Sequence, residues 1–164
     1  VPGGGPIGAP LGLLGEAPGV QEAASGLPFV GQAGRVLEDA LAAVGVRRQD
    51  CYVGNRVRCR PPANRISEYP DALNECDTWT RAELALYNPR VMVLLGKTAF
   101  TPIFGDHLVW QVRGHMRHTG VEHPWGSRLW VATYHPAAVL RKRELFEMLV
   151  GDIRLAVSVI GDLV

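Results

Sequence analysis

Leu11-Gly12-Leu13-Leu14-Gly15-Glu16-Ala17-Pro18-Gly19 decides how this chain is read, because a short apolar run breaks off there into a compact polar turn. A short apolar run bounded by breakers fits a strand buried on both faces. Two further stretches repeat the pattern. Cys51-Tyr52-Val53 runs into Gly54-Asn55-Arg56-Val57-Arg58-Cys59-Arg60-Pro61-Pro62, and Leu129-Trp130-Val131-Ala132 runs into Thr133-Tyr134-His135-Pro136. In an open parallel sheet, ligands bind beyond the carboxyl ends of the strands. A carboxylate at Glu16, a carboxamide at Asn55 and an imidazole at His135 are therefore expected in one cleft.

Helical and strand patterns alternate along the chain. Val36, Leu37, Leu41 and Val44 recur at helical spacing over residues 34–44, and Gly45 supplies a C-terminal stop. Residues 51–55 read as a strand, and Pro61-Pro62 imposes irregular backbone. Pro70 opens a helix through about residue 87, which Asn88-Pro89 breaks. Residues 91–95 form a continuous apolar strand, and Gly96-Lys97-Thr98 turns into a short helix. Residues 107–121 suggest a hairpin or an irregular excursion, and 128–133 make the fourth strand. Residues 143–164 form a closing helix with Leu145, Leu149, Ile153, Val157 and Ile160 on one face. The expected fold class is α/β: a single-domain three-layer α/β/α sandwich around a mostly parallel four-stranded sheet. It spans residues 11–164, and residues 1–10, opening Val1-Pro2-Gly3-Gly4-Gly5-Pro6, are expected to be a flexible arm.

The chain has 164 residues, 47% hydrophobic and 20% charged, which suits one globular domain with a substantial core. Nothing approaches the roughly 18 consecutive apolar residues of a spanning helix, and no charged n-region with an apolar h-region opens the sequence, so a secretory signal is not expected. Three cysteines make no disulfide framework, and the odd count suits a reducing cytoplasm. Cys51 opens an apolar strand and reads as a buried thiol. Cys59 and Cys76 lie in or beside loop-like sequence, a poor setting for inert core thiols. Net charge is only +1, but Arg56, Arg58, Arg60 and Arg65 cluster in one loop and Arg141, Lys142 and Arg143 in another. Each cluster reads equally well as a basic rim around the cleft or as a solvated loop surface.

Each candidate site residue has a chemical reading beside a structural one. Glu16 sits on a tight turn where backbone can approach a ligand, or simply on an exposed turn. Glu22 adds a second carboxylate. Phe29, in Gly26-Leu27-Pro28-Phe29-Val30-Gly31, is flanked by breakers and offers a stacking platform for a base, with core packing as the alternative. Asn55 has one acceptor and two donors, enough to read a nucleobase edge, or it closes an Asx turn. His135 follows a strand and precedes proline; a solitary histidine is usually structural, but one at a third strand end is less easily set aside. Gly96 and Thr98 present helix amides and a hydroxyl suited to a phosphate, without the glycine spacing of a P-loop.

At these residues the chain resembles the family 4, iron–sulfur type uracil-DNA glycosylases. The likeness is collinear over about residues 11–147. It rests on Gly15-Glu16-Ala17-Pro18-Gly19 with Glu22, on Pro28-Phe29-Val30-Gly31 leading to Gly34-Arg35, and on Asn55-Arg56-Val57-Arg58-Cys59-Arg60-Pro61-Pro62-Ala63-Asn64-Arg65. Leu94-Leu95-Gly96 and Tyr134-His135-Pro136-Ala137-Ala138-Val139-Leu140-Arg141 complete it. Five motifs in order are specific where one is not. The resemblance implies a monofunctional glycosylase that flips uracil out of DNA and hydrolyses its N-glycosidic bond. It implies that Phe29 stacks on uracil, Asn55 bonds O4 and N3–H, Glu22 crowds C5 against a thymine methyl, and Ala17 joins them in the pocket. His135 would stabilise the uracil anion through O2, and Glu16 would orient the attacking water. Gly96, Thr98, Pro136, Leu140 and Arg141 would contact DNA, Leu140 or Arg141 acting as the wedge. It further implies a [4Fe–4S] cluster held by four cysteines, of which Cys59 and Cys76 match two while the first pair would lie upstream of Val1. The expected protein is a cytoplasmic monomer whose partner is uracil-containing DNA. A non-catalytic or covalent uracil-DNA binder of the same fold is the alternative. Retention of Glu16 and His135, and the lack of a histidine in residues 61–69, argue against it. Residues 120–128, with His123-Pro124-Trp125-Gly126, receive no role.

Overall fold

The computed structural model describes residues 1–162. Its centre is a five-stranded sheet of β1 (Leu11–Gly15), β2 (Tyr52–Asn55), β3 (Val91–Leu95), β4 (Met116–Thr119) and β5 (Arg128–Thr133). They lie in the order β2-β1-β3-β5-β4. The first four in that order are parallel, and β4 runs antiparallel along β5. The expected sheet had four strands; the fifth is β4. Its residues escape the apolar pattern because it is an edge strand, exposed except at Thr119 and paired on one side only.

Among the described residues seven α-helices surround the sheet: α1 (Val20–Ser25), α2 (Gln32–Ala43), α3 (Pro70–Tyr87), α4 (Lys97–Phe104), α5 (Val109–Val112), α6 (Pro136–Arg141) and α7 (Leu145–Asp162). The expected continuation of the closing helix to Val164 lies outside the described residues. Strand residues alternate between two cores. Leu11, Leu13, Val91, Val93, Leu95 and Val131 pack with Leu37 and Leu41 of α2 and Leu149 and Ile153 of α7. Leu14, Met92, Leu94, Trp130 and Ala132 pack with Leu84 of α3 and Ala99 and Phe100 of α4 on the other face. Both faces are covered, which is why the strands are continuous apolar runs. No described helix is long and apolar enough to cross a membrane.

The opening residues, expected as a flexible arm, lie against the domain. Gly4 forms an antiparallel bridge with Val53, Gly3 donates to Glu83 at 2.9 Å, and Gly8 donates to the Tyr87 carbonyl at 2.8 Å. β2 is an edge strand, and this segment satisfies backbone groups its free edge would otherwise expose to water.

Candidate active site

Register brings the motifs together. Gly15 pairs with Asn55, Leu14 with Leu94, and Leu95 with Thr133, so four strands end at one level. The residues that follow β1, β3 and β5, with Asn55 closing β2, border a cleft of about 490 Å³. Glu16, Ala17, Glu22, Phe29, Asn55, Gly96, Thr98, His135 and Arg141 all line it. Pro136 is buried as the first residue of α6, and Leu140, 45% exposed on the same helix, stands outside the lining.

Asn55 is 3% exposed, and its Oδ1 has no hydrogen-bond partner among the described residues. Leaving a buried polar atom unpaired costs on the order of 1–3 kcal/mol, so this oxygen is poised for an incoming donor. Phe29 lies beside it. A Cβ on Gly15 would come within 2.5 Å of the Phe29 ring and 2.6 Å of Asn55 Oδ1, so only glycine lets ring and amide converge.

Phe29 adopts a left-handed φ of 50°, uncommon for an aromatic residue and strained. Arg48 holds that conformation by donating to the carbonyls of Pro28 and Phe29. Glu22 holds the same loop from the cleft side. Its Oε2 accepts from Val30 at 2.8 Å and Gly31 at 2.7 Å, and its Oε1 accepts from Gly19 at 3.0 Å. Burial opposes the charge of Glu22, but these backbone donors outweigh it and hold the carboxyl below the ordinary carboxylate range.

His135 caps α6, its Nδ1 accepting from the Ala137 amide at 3.0 Å. An accepting Nδ1 leaves the proton of the neutral ring on Nε2. Burial, aided by the Arg141 charge, pushes its pKa down to about 4, so the ring is a neutral donor at physiological pH. It also stacks beside Phe29, with ring centroids 5.6 Å apart. Across the cleft, Glu16 Oε2 accepts from the Thr98 hydroxyl. The Thr98 hydroxyl proton points at that carboxylate.

The arginines divide. Arg58 is 9% exposed and pairs with Glu83 at 2.6 Å. Arg56 is half-buried, donating to the Thr98 carbonyl at 2.6 Å while lying over Trp125. Only Arg60 and Arg65 of that loop are exposed, as are Arg141, Lys142 and Arg143. The structural parts of Arg48, Arg56 and Trp125 were illegible in sequence, because each acts on residues distant along the chain. Pro61 and Asn64 also line the cleft, and they fall inside a motif already singled out.

Cys59 is exposed and Cys76 half-buried. Cys51 is buried, its thiol donating to the Arg47 carbonyl and pushed up to about 11 by burial and Asp50, which suits an inert core residue. A four-thiolate cluster needs more than Cys59 and Cys76 offer. Among the described residues no group of three or more His, Cys, Asp or Glu side chains could hold a metal ion. The residues present do not by themselves fit such a group.

Comparison with known proteins agrees with this geometry. The Uracil DNA glycosylase superfamily matches residues 2–153. The chain is 39% identical over 160 residues to the Type-4 uracil-DNA glycosylase of Archaeoglobus fulgidus, covering 94% of this chain and 78% of that protein. It is 38% identical over 154 residues to the Type-4 uracil-DNA glycosylase of Thermotoga maritima, covering 90% and 76%. A Type-5 uracil-DNA glycosylase of Pyrobaculum aerophilum is 30% identical over 93 residues, 57% of this chain and 39% of that protein.

Proposed function

The chain belongs to the uracil DNA glycosylase superfamily, and on that premise we propose that it excises uracil from DNA by hydrolysis, leaving an abasic site. The observation that carries the reading is the buried, unpaired Oδ1 of Asn55 beside the Phe29 ring. Uracil presents a donor at N3 and an acceptor at O4, and one carboxamide meets both. Phe29 supplies the stacking surface.

The C1′–N1 bond breaks with its electron pair leaving on uracil, and negative charge builds at O2. His135 Nε2–H donates to that oxygen. A neutral imidazole suits the task, because it strengthens its hydrogen bond as charge develops without needing a proton from solvent. Water adds its oxygen to C1′ and gives its proton to Glu16, which returns it to the uracil anion. Extrusion of the base costs a few kcal/mol. In this reading Leu140 and Arg141 of α6 fill the vacated space, and Gly96 and Pro136 contact the DNA.

We also infer that Cys59 and Cys76 are two ligands of a [4Fe–4S] cluster, the others coming from outside these 164 residues. In support, Cys59 is exposed and Cys76 half-buried, so neither thiol is fully taken up by core packing. The cluster has no part in the hydrolytic steps above.

Incubation with a uracil-containing oligonucleotide, followed by alkaline scission, tests the activity. Cleavage at uracil alone is expected. An intact strand at stoichiometric enzyme would overturn the reading.

A further inference from the structure

The chain leaves β1 toward β2 on one side and leaves β3 toward β4 and β5 on the other, so the loops after β1 and β3 face each other across the point where the strand order reverses. Glu16 stands on the first loop and Thr98 in the first turn of α4. One hydrogen bond joins them, from the Thr98 hydroxyl to Glu16 Oε2. Glu16 is also fixed through its backbone, its carbonyl accepting from Val57 at 2.9 Å.

Thr98 is itself held. Its carbonyl accepts from Arg56 Nη1 at 2.6 Å, and the Arg56 guanidinium lies 5.5 Å from the centre of the Trp125 ring. Trp125 is 3% exposed, and its indole N–H donates to Asp77 at 2.8 Å. β-Branching restricts the Thr98 side chain further. The hydroxyl is thus a rigid donor aimed at a flexible carboxylate.

We propose that Thr98 is a positioning residue for Glu16: it ties down Oε2 and leaves Oε1 to take the proton of the attacking water. A glutamate side chain left free would sample several rotamers, and displacement by about 1 Å can cost a hundredfold in rate. The assignment rests on the reading of Glu16 as the group that acts on water, and the experiment separates the two.

Single-turnover kinetics on a uracil oligonucleotide would compare the parent with Thr98→Val, Thr98→Ser, Glu16→Gln and the Thr98→Val/Glu16→Gln double variant. Valine matches threonine in shape but lacks the hydroxyl. Thr98→Val should lower the maximal rate about tenfold without changing the half-saturating DNA concentration, and Thr98→Ser should stay within about twofold of the parent. In the Glu16→Gln background, Thr98→Val should add nothing, because the residue acts through Glu16. A Thr98→Val variant that instead weakens DNA binding in a salt-dependent way at unchanged maximal rate would make Thr98 a phosphate contact and overturn the proposal. Full additivity in the double variant would overturn it too. A Glu16→Gln enzyme as fast as the parent would remove Glu16 from the reaction, and the role of Thr98 with it.

Discussion

Asn55 carries an oxygen for which the described residues supply no donor, and His135 carries a proton whose place is fixed by the amide at Ala137. Asn55→Asp turns the amide donor into an acceptor. It should lose most uracil excision and gain a weak activity on cytosine, whose 4-position is a donor. The gain stays small because N3 of cytosine must also find a proton. Unpaired groups in a closed pocket cost about 1–3 kcal/mol each, enough for strong rejection of the mismatched base. Matched uracil and cytosine oligonucleotides read this out, and undiminished uracil activity in the Asp variant would show that Asn55 does not read the base. His135→Ala should slow single turnover about a hundredfold, or roughly 3 kcal/mol. Burial lowers the His135 pKa to about 4, so the unfolded chain takes up this proton first as pH falls. Stability from the neutral ring is therefore full above the ordinary histidine value and drains away between about pH 6.5 and pH 4. Nitrogen NMR at about pH 5.5 should find the ring neutral with its proton on Nε2, whereas an imidazolium signal would contradict the assignment.

At the scale of elements, the cleft depends on loops pinned from behind. The turn after β1 and the Phe29 loop are joined through Glu22, whose two oxygens accept three backbone N–H bonds. The family resemblance implies a guard against the thymine methyl at this carboxylate; the bonds show a structural task. Glu22→Gln keeps the shape but replaces one accepting oxygen with a donor. Melting temperature should drop by an amount corresponding to about 1–3 kcal/mol, and kcat/KM should fall with it as Phe29 loses its place. An unchanged melting curve would mean that the loops hold without the clamp. Residues 120–128, opaque in sequence, place Trp125 under Arg56 and so support the far wall of the cleft.

Over the whole molecule, the layers leave one thiol exposed, at Cys59, and one half-buried, at Cys76, apart from the chemistry. Cys59 and Cys76 do not line the cleft. Protein of full natural length purified without oxygen should be brown, with broad visible absorption that Cys59→Ala or Cys76→Ala bleaches. The 164 residues alone should bind iron poorly, since two thiolates fall short of the four that such a cluster takes. A colourless, iron-free and fully active preparation of that full-length protein would show the cluster to be dispensable.

The sequence by itself determined the α/β class and the parallel strands, since β1, β2, β3 and β5 are short apolar runs buried on both faces, and hydrophobic periodicity is a local signal. It also determined which polar residues end those strands, and five collinear motifs pointed to the family. Tertiary structure alone decided the rest. The edge strand β4 has no apolar pattern to betray it, because only pairing with β5 makes it a strand. Arg56 and Arg58 look like a basic rim until folding turns them onto Thr98 and Glu83. The bond from Thr98 to Glu16 spans 82 positions of sequence. Local propensity cannot encode such a contact; the register of the parallel strands brings the two residues to one level of the sheet.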